Sequence, residues 1–99
     1  MAGEIIWSPK AKSELIEILE YWVNRNKSNV YSLKLNQLIQ EQLIFILEFP
    51  KIGRKTDIKN FYVKIIRNYY LLYYEIEKGN LHVLTIRHGK KNPKTLALK

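Results

Sequence analysis

The apolar positions in the first half of the chain follow helical spacing. After a short β-branched segment at residues 4–7, which is typical of a strand, apolar residues recur three and four positions apart as far as Trp22. Ser8 and Pro9 precede this stretch, and a serine N-cap followed by proline in the first turn predicts a helix start. The pattern predicts a first helix that ends at about Arg25.

A second helix is predicted after the polar turn at residues 24–29. Leucine and isoleucine form a broad stripe from Leu35 to Ile46, and Pro50 ends the helix soon after Phe49. Because only a short loop joins the two helices, we expect them to form an antiparallel αα-hairpin.

The pattern changes to strands after Pro50. Residues 51–59 are polar and basic and predict a loop. Three segments rich in β-branched and aromatic residues follow, separated by short turn sequences, which predicts an antiparallel meander. These predicted strands are 61–66, 69–77 and 81–88.

The order of elements predicts the fold class. Strand, helix, helix, strand, strand, strand is an α+β arrangement, in which the αα-hairpin packs on one face of a small, mainly antiparallel sheet. At 99 residues the chain has room for one modest core, so we expect residues 1–99 to form a single domain.

The middle strand of the meander is apolar on both faces. Since side chains alternate along a strand, Leu71 and Tyr73 are predicted to lie on the face away from the helices. The same alternation leads us to place Lys64 and Arg87 on that face. A monomer rarely leaves so much apolar surface to water, so we expect the C-terminal tail or a partner to cover it.

The positive charge of the chain is concentrated in its second half. Residues 50–99 carry twelve Lys and Arg against three Asp and Glu, whereas residues 1–49 carry five against six, and the formal net charge is +8. A basic surface favours an anionic partner. Charge alone does not choose between nucleic acid, an acidic protein and an anionic membrane surface.

The composition excludes several classes. The chain has no cysteine, which excludes disulfides and thiolate-ligated metals, and it has no apolar run of the roughly 20 residues that a membrane span needs. The N-terminus lacks the basic and apolar regions of a signal peptide. We expect a cytoplasmic protein with no metal, no cofactor and no membrane partner.

The ordered set of segments resembles a known family. The matching residues are Trp7, followed by Ala11 and Leu15 at the opening of the first helix, then the stretches 47–54, 63–66, 70–76 and 81–86, and the ending His88-Gly89-Lys90-Lys91-Asn92-Pro93. Together they resemble the ParE/RelE superfamily of toxins from bacterial type II toxin–antitoxin pairs, which includes plasmid-stabilisation proteins. The resemblance covers nearly the whole chain, although no single motif in it is specific.

The resemblance implies a growth-inhibiting cytoplasmic toxin that a cognate antitoxin neutralises in a hetero-oligomer. Antitoxins of this superfamily wrap the toxin with an extended or helical segment, which would cover surface such as Leu71 and Tyr73. The superfamily divides by target: RelE-like members cut messenger RNA on the ribosome, whereas ParE-like members poison DNA gyrase.

The basic third of the chain holds the candidate site residues. For ribonuclease chemistry, His88 is the candidate acid or base, and Lys64 and Arg87 are candidate cations for the phosphate. The alternative for His88 is a hydrogen-bonded histidine at a strand end, and for the C-terminal lysines a solvated tail. The residues predicted to bind the antitoxin or the target are Arg54, Lys64, Leu71, Tyr73, Arg87, Lys90 and Lys91.

Departures from the RelE-like pattern decide between the two targets. Those ribonucleases surround the phosphate with Lys, Arg and a C-terminal Tyr or His-Tyr pair, whereas here Gly89 follows His88 and no tyrosine follows Tyr74. The loop 51–59 contributes a single carboxylate, Asp57. We therefore favour a ParE-like gyrase inhibitor that is not a nuclease. A RelE-like ribosome-dependent mRNA endoribonuclease is the alternative.

Overall fold

Two helices and five strands make up the described part of the chain. The computed structural model describes residues 3–67 and 69–89. In chain order the elements are β1 (Ile5–Trp7), α1 (Pro9–Asn26), α2 (Val30–Glu48), β2 (Arg54–Lys55), β3 (Phe61–Ile66), β4 (Tyr70–Glu77) and β5 (Asn80–His88).

The strands form one mixed sheet in the order β1-β5-β4-β3-β2. The pairs β2–β3, β3–β4 and β4–β5 are antiparallel, as short connections allow. Strand β1 pairs in parallel with β5, and both helices and the other three strands lie between them in the chain. The first and last strands are therefore neighbours.

The core lies between the helices and one face of the sheet. Helix α2 buries Leu35, Ile39, Leu43 and Ile46, which recur every three or four residues. The sheet contributes the inward-pointing residues of its three long strands, and α1 contributes Ala11. The buried sheet residues are Tyr62, Ile66, Tyr70, Leu72, Tyr74, Leu81, Val83 and Ile86.

Ser8 joins β1, α1 and β5. Its side-chain Oγ accepts a hydrogen bond from the backbone N–H of Ala11 at 2.9 Å, which caps α1. The same hydroxyl donates to the carbonyl of Leu84 at 3.0 Å, and the backbone N–H of Ser8 donates to the carbonyl of Val83 at 3.0 Å. One residue thus fixes where the strand ends, where the helix begins and how both lie against β5.

A β-bulge in β5 lies beside Ser8. Tyr73 of β4 is opposite Thr85, whereas the next residue, Tyr74, is opposite Val83, so Leu84 has no partner in the ladder. Beyond the bulge the pairing is regular again. Ile86 therefore faces the helices, as Val83 does before it.

Glu14 of α1 accepts hydrogen bonds from the edge of β5 beyond the end of β1. The N–H of Ile86 donates to Oε1 of Glu14 at 3.1 Å, and the hydroxyl of Thr85 donates to the same oxygen at 2.6 Å. Thr85 is buried. A side-chain carboxylate thus takes the place of a missing strand carbonyl, because a buried N–H without a partner is costly.

The predicted α+β fold is confirmed, and α2 begins at Val30, directly after the predicted turn. Two details differ. The segment 51–59 is not all loop, because Arg54 and Lys55 pair with β3 as β2. The sheet also has a parallel edge at β1. Within residues 3–67 and 69–89, neither helix combines the length and apolarity that crossing a bilayer requires.

We predict that Ser8→Ala lowers the free energy of unfolding by about 1–2 kcal/mol, because it removes the cap of α1 and the bond to Leu84. Urea denaturation followed by circular dichroism measures the change. Ser13→Ala is the matched control: Ser13 is exposed within α1, and alanine favours a helix interior, so its stability should not fall. Equal losses in the two variants would contradict the role of Ser8.

Candidate functional site

The sheet has a second face, turned away from the helices, that collects four of the predicted binding residues. The pairings Arg54 to Val63 and Val63 to Tyr73 put these three side chains in one row. The pairings Ile65 to Leu71 and Leu71 to Arg87 make an adjacent row. We call these six residues the second face: Arg54, Val63, Ile65, Leu71, Tyr73 and Arg87.

Exposure on the second face is uneven. Ile65 and Arg54 are exposed, Leu71 is half-buried, and Tyr73 is only 6% exposed. The prediction that Tyr73 is open to solvent is therefore wrong. A tyrosine on the central strand of the sheet is flanked by side chains of both neighbouring strands. Burial raises the pKa of its hydroxyl, and the nearby positive charge of Arg87 partly opposes that rise.

Arg87 is the unsatisfied residue of the site. Its Nε and Nη1 atoms are buried, and among the residues that the structure describes they have no hydrogen-bond partner. Burying a charged donor without an acceptor costs about 1–3 kcal/mol or more. Native proteins leave few such groups without a partner, which makes Arg87 a candidate contact for a second molecule.

Lys64 lies on the opposite face from the one predicted. It is opposite Leu72 of β4 and stands between Tyr62 and Ile66, both buried beneath the helices, so its side chain is on the helix-covered face. The prediction that Lys64 shares a face with Tyr73 and Arg87 is wrong. Alternation within one strand does not set its phase relative to the next, and a one-residue slip exchanges the faces.

His88 ends β5 on the helix side. It is opposite Tyr70 in the ladder, and its ring centroid is 5.5 Å from that of Tyr70 and 6.0 Å from that of Tyr69. Arg87, as the preceding residue of the strand, points to the other face. Lys64 lies two strands away. The three candidate catalytic residues are thus not brought together.

A groove of about 620 Å³ runs between α1 and the end of β5. Its floor contains Trp22, whose indole N–H donates to the Tyr70 hydroxyl at 2.6 Å. Beside it, β5 continues past Val83, where its pairing with β1 ends. The groove is lined by Glu14, Glu17, Ile18, Tyr21, Trp22, Arg25, Tyr70, Ile86, Arg87 and His88.

The α1 side of this groove was not predicted from the sequence. Glu17, Tyr21 and Arg25 are four residues apart and form a ridge beside the apolar stripe of the helix. That spacing is a signal by which the ridge can be found in the sequence. The ridge lines the groove because the parallel pairing of β1 with β5 brings α1 against the end of β5.

Two of the predicted binding residues, Lys90 and Lys91, lie outside the described residues, so their binding role stays a prediction. In the described part of the chain, no three side chains among His, Asp and Glu are grouped as metal ligands are. The arrangement combines apolar surface, a strand edge and positively charged side chains, which are features suited to binding a partner.

Fold and site together define a class: a small α+β domain with two helices on one face of a five-stranded sheet and a groove beside a strand edge. The chain belongs to the ParE toxin family of type II toxin–antitoxin systems, parDE, whose family model matches residues 5–93. The resemblance predicted from the sequence is confirmed. The protein is the toxin component of such a system, and its partner is a cognate antitoxin.

Solved structures agree on the fold. A chain of the chromosomal ParDE TA system from P. aeruginosa superposes with a TM-score of 0.72 at 19% sequence identity, over 89% of this chain and 96% of that one. No curated protein matches the chain by sequence.

The buried tyrosines predict how stability changes at alkaline pH. Burial raises the pKa of Tyr70, Tyr73 and Tyr74 above the ordinary value of 10.0, so the folded state favours their neutral form. Their contribution is complete below that ordinary pKa and is lost as the pH rises through the raised pKa values.

We therefore expect Tyr73→Phe to keep more of its free energy of unfolding at alkaline pH than the parent protein, because phenylalanine cannot ionise. Urea denaturation at a series of pH values measures this. The control is Tyr21→Phe, which removes the hydroxyl of an exposed tyrosine. If the two variants behaved alike, the buried hydroxyl of Tyr73 would not be the cause.

Proposed function

We propose that this toxin inhibits DNA gyrase, and that the antitoxin neutralises it by occupying the groove and the second face. Membership of the ParE toxin family supports the gyrase target. The observation that carries the proposal is the separation of His88, Arg87 and Lys64 over both faces of the sheet and across the width of three strands. Phosphodiester cleavage needs an acid, a base and cations around one phosphate, and these residues do not provide that arrangement.

The groove offers the antitoxin a strand edge. Strand β5 is nine residues long, and β1 pairs with only Leu81, His82 and Val83 of it. Ser8 and Glu14 satisfy groups of Leu84 and Ile86, so an added strand would pair towards the end of β5. Peptides often bind by adding a strand to such an edge, with side chains filling adjacent pockets. The apolar and aromatic floor around Trp22 and Tyr70 supplies such a pocket next to the edge.

Charge sets the character of the segment that binds. The chain carries a net charge of +8. Arg25 lines the groove, Arg54 is on the second face, and Arg87 belongs to the second face and borders the groove. A carboxylate of the partner that reached Arg87 would provide the acceptor that its buried Nε and Nη1 lack. The antitoxin segment is therefore partly acidic and partly apolar, and the complex is a hetero-oligomer.

The target also sets the place of action. Gyrase works on bacterial chromosomal DNA, so a toxin that inhibits it acts in the cytoplasm. Steering by the net charge of +8 would favour encounter with an anionic surface of a gyrase–DNA complex.

We predict that the purified protein blocks supercoiling of relaxed plasmid by gyrase and leaves cleaved DNA bound to the enzyme. Translation in a cell-free extract should continue with intact messages. The two assays separate the alternatives, because a ribosome-dependent endoribonuclease would cut messages within codons and leave supercoiling unchanged. His88→Ala should keep full growth inhibition, with His82→Ala as the control for loss of a half-buried histidine on the same strand.

We predict that Arg87→Met separates stability from binding. Methionine keeps the apolar stem and removes the unpaired buried donors, so the free energy of unfolding should stay the same or rise by about 1 kcal/mol. The dissociation constant for the antitoxin should rise about tenfold or more, because a desolvated ion pair is lost.

Arg54→Met is the matched control, since it removes a charge from an exposed position on the same face. Its effect on stability should stay within about 0.5 kcal/mol. A marked loss of stability in Arg87→Met with unchanged antitoxin binding would mean that Arg87 is a structural residue.

A further inference from the structure

Helix α2 carries an outward ridge that the site described above does not use. The ridge is opposite the buried stripe of the helix and includes Val30, Leu33, Lys34, Gln37, Glu41 and Ile44, all exposed. Leu33 is 61% exposed and Ile44 is 62% exposed, the highest values among the large apolar side chains that the structure describes. Single exposed apolar residues are ordinary on a protein surface, so the arrangement of the ridge decides whether it is a contact surface.

The ridge has two sides, and each holds one matched pair. At about 100° per residue, Leu33 and Ile44 lie on one side, about three turns apart. Lys34 and Glu41 lie on the other side, about two turns apart and with opposite charges. The midpoints of both pairs fall within one residue of Leu38.

This placement is self-complementary. A two-fold axis perpendicular to two antiparallel helices reverses their direction and keeps each side of the ridge facing the same side of the other copy. With the axis near Leu38, Leu33 meets Ile44 of a second copy and Lys34 meets Glu41 of that copy. The uncharged Gln37 falls near the axis, and its Nε2 donates to Glu41 Oε2 at 3.2 Å, which holds the glutamate on the ridge.

We propose that α2 is the interface of a homodimer of this chain, formed by antiparallel packing of the two α2 ridges. The opposite charges of Lys34 and Glu41, placed to meet across a two-fold axis, support a second copy as the occupant. The chain as a whole repels itself at +8, but α2 contains one lysine and two glutamates, so its own net charge is −1. Two copies can approach along α2 without bringing their basic second halves together.

The helix is long enough for such a seam, since 19 residues span about 28 Å. A single helix pair buries less than the roughly 800 Å² per partner of a standard interface, so the dimer is reversible and weakens as salt is added. The ridge points away from the sheet. The groove and the second face therefore stay accessible in the dimer.

Charge reversal tests the pairing directly. Sedimentation velocity of the full chain over a concentration series should show a monomer–dimer equilibrium. Lys34→Glu and Glu41→Lys should each raise the dimer dissociation constant about tenfold, because two attractive pairs become two repulsive ones. An equimolar mixture of the two variants should recover the parent affinity. In each mixed dimer one copy is acidic at both positions and the other copy is basic at both, so the two attractive pairs form again.

A general effect of net charge predicts stronger dimerisation for Lys34→Glu, whereas the proposed pairing predicts weaker dimerisation, so this variant distinguishes the two. Lys34→Glu lowers the net charge of a strongly basic chain, and that alone would promote self-association. Lys12→Glu, an equal charge change at an exposed position of α1, reports this general effect and should not weaken the dimer. Leu33→Asp should abolish the dimer while circular dichroism shows the fold intact.

Three results would overturn the proposal. The parent protein could sediment as a monomer at every concentration. The mixture of Lys34→Glu and Glu41→Lys could fail to recover association. Leu33→Asp could dimerise as well as the parent.

Discussion

The structure depends on how the hydrogen-bonding groups along the edge of β5 find partners. Strand β5 has nine residues, but the neighbouring strand β1 has only three. Strand β1 covers residues 81–83, and beyond them the hydrogen-bonding groups of β5 need other partners. Ser8 supplies a hydroxyl to Leu84, and Glu14 supplies a carboxylate oxygen to Ile86 and Thr85. Because both residues belong to the start of α1, the same bonds that finish the sheet also fix the helix against it.

That arrangement explains why the site lies where it does. Glu14 anchors α1 to β5 near Ile86, and the rest of the helix continues past the end of the strand, which leaves a groove between them. A longer β1 would fill that space with a strand. The short β1 therefore keeps an edge and a pocket together at one end of the sheet, where we propose that the antitoxin binds.

The sequence was sufficient for elements whose signal is local. The capped start of α1 at Ser8 and the strand at 61–66 were predicted as the structure has them, because capping chemistry and β-branched runs act over a few residues. The strand β2 was missed, since two residues carry no periodicity and are a strand only through pairing with β3. The predicted face of Lys64 and the predicted exposure of Tyr73 were wrong for a related reason, because both depend on the register between strands. The groove could not be predicted, because it is formed by contacts between residues about 70 positions apart, such as Glu14 with Thr85.

The bulge at Leu84 marks one position of β5 at which a change in length leaves the two faces of the strand unchanged. Leu84 has no partner on β4, and the strand resumes its pairing immediately after it. Removing that residue would let Val83 and Thr85 alternate as in a regular strand, so Ile86 would still face the core and Arg87 would still face away from it. A relative that is one residue shorter at this place would thus keep the same arginine on the second face. An insertion or deletion anywhere between Thr85 and His88 would instead exchange the two faces and remove the site.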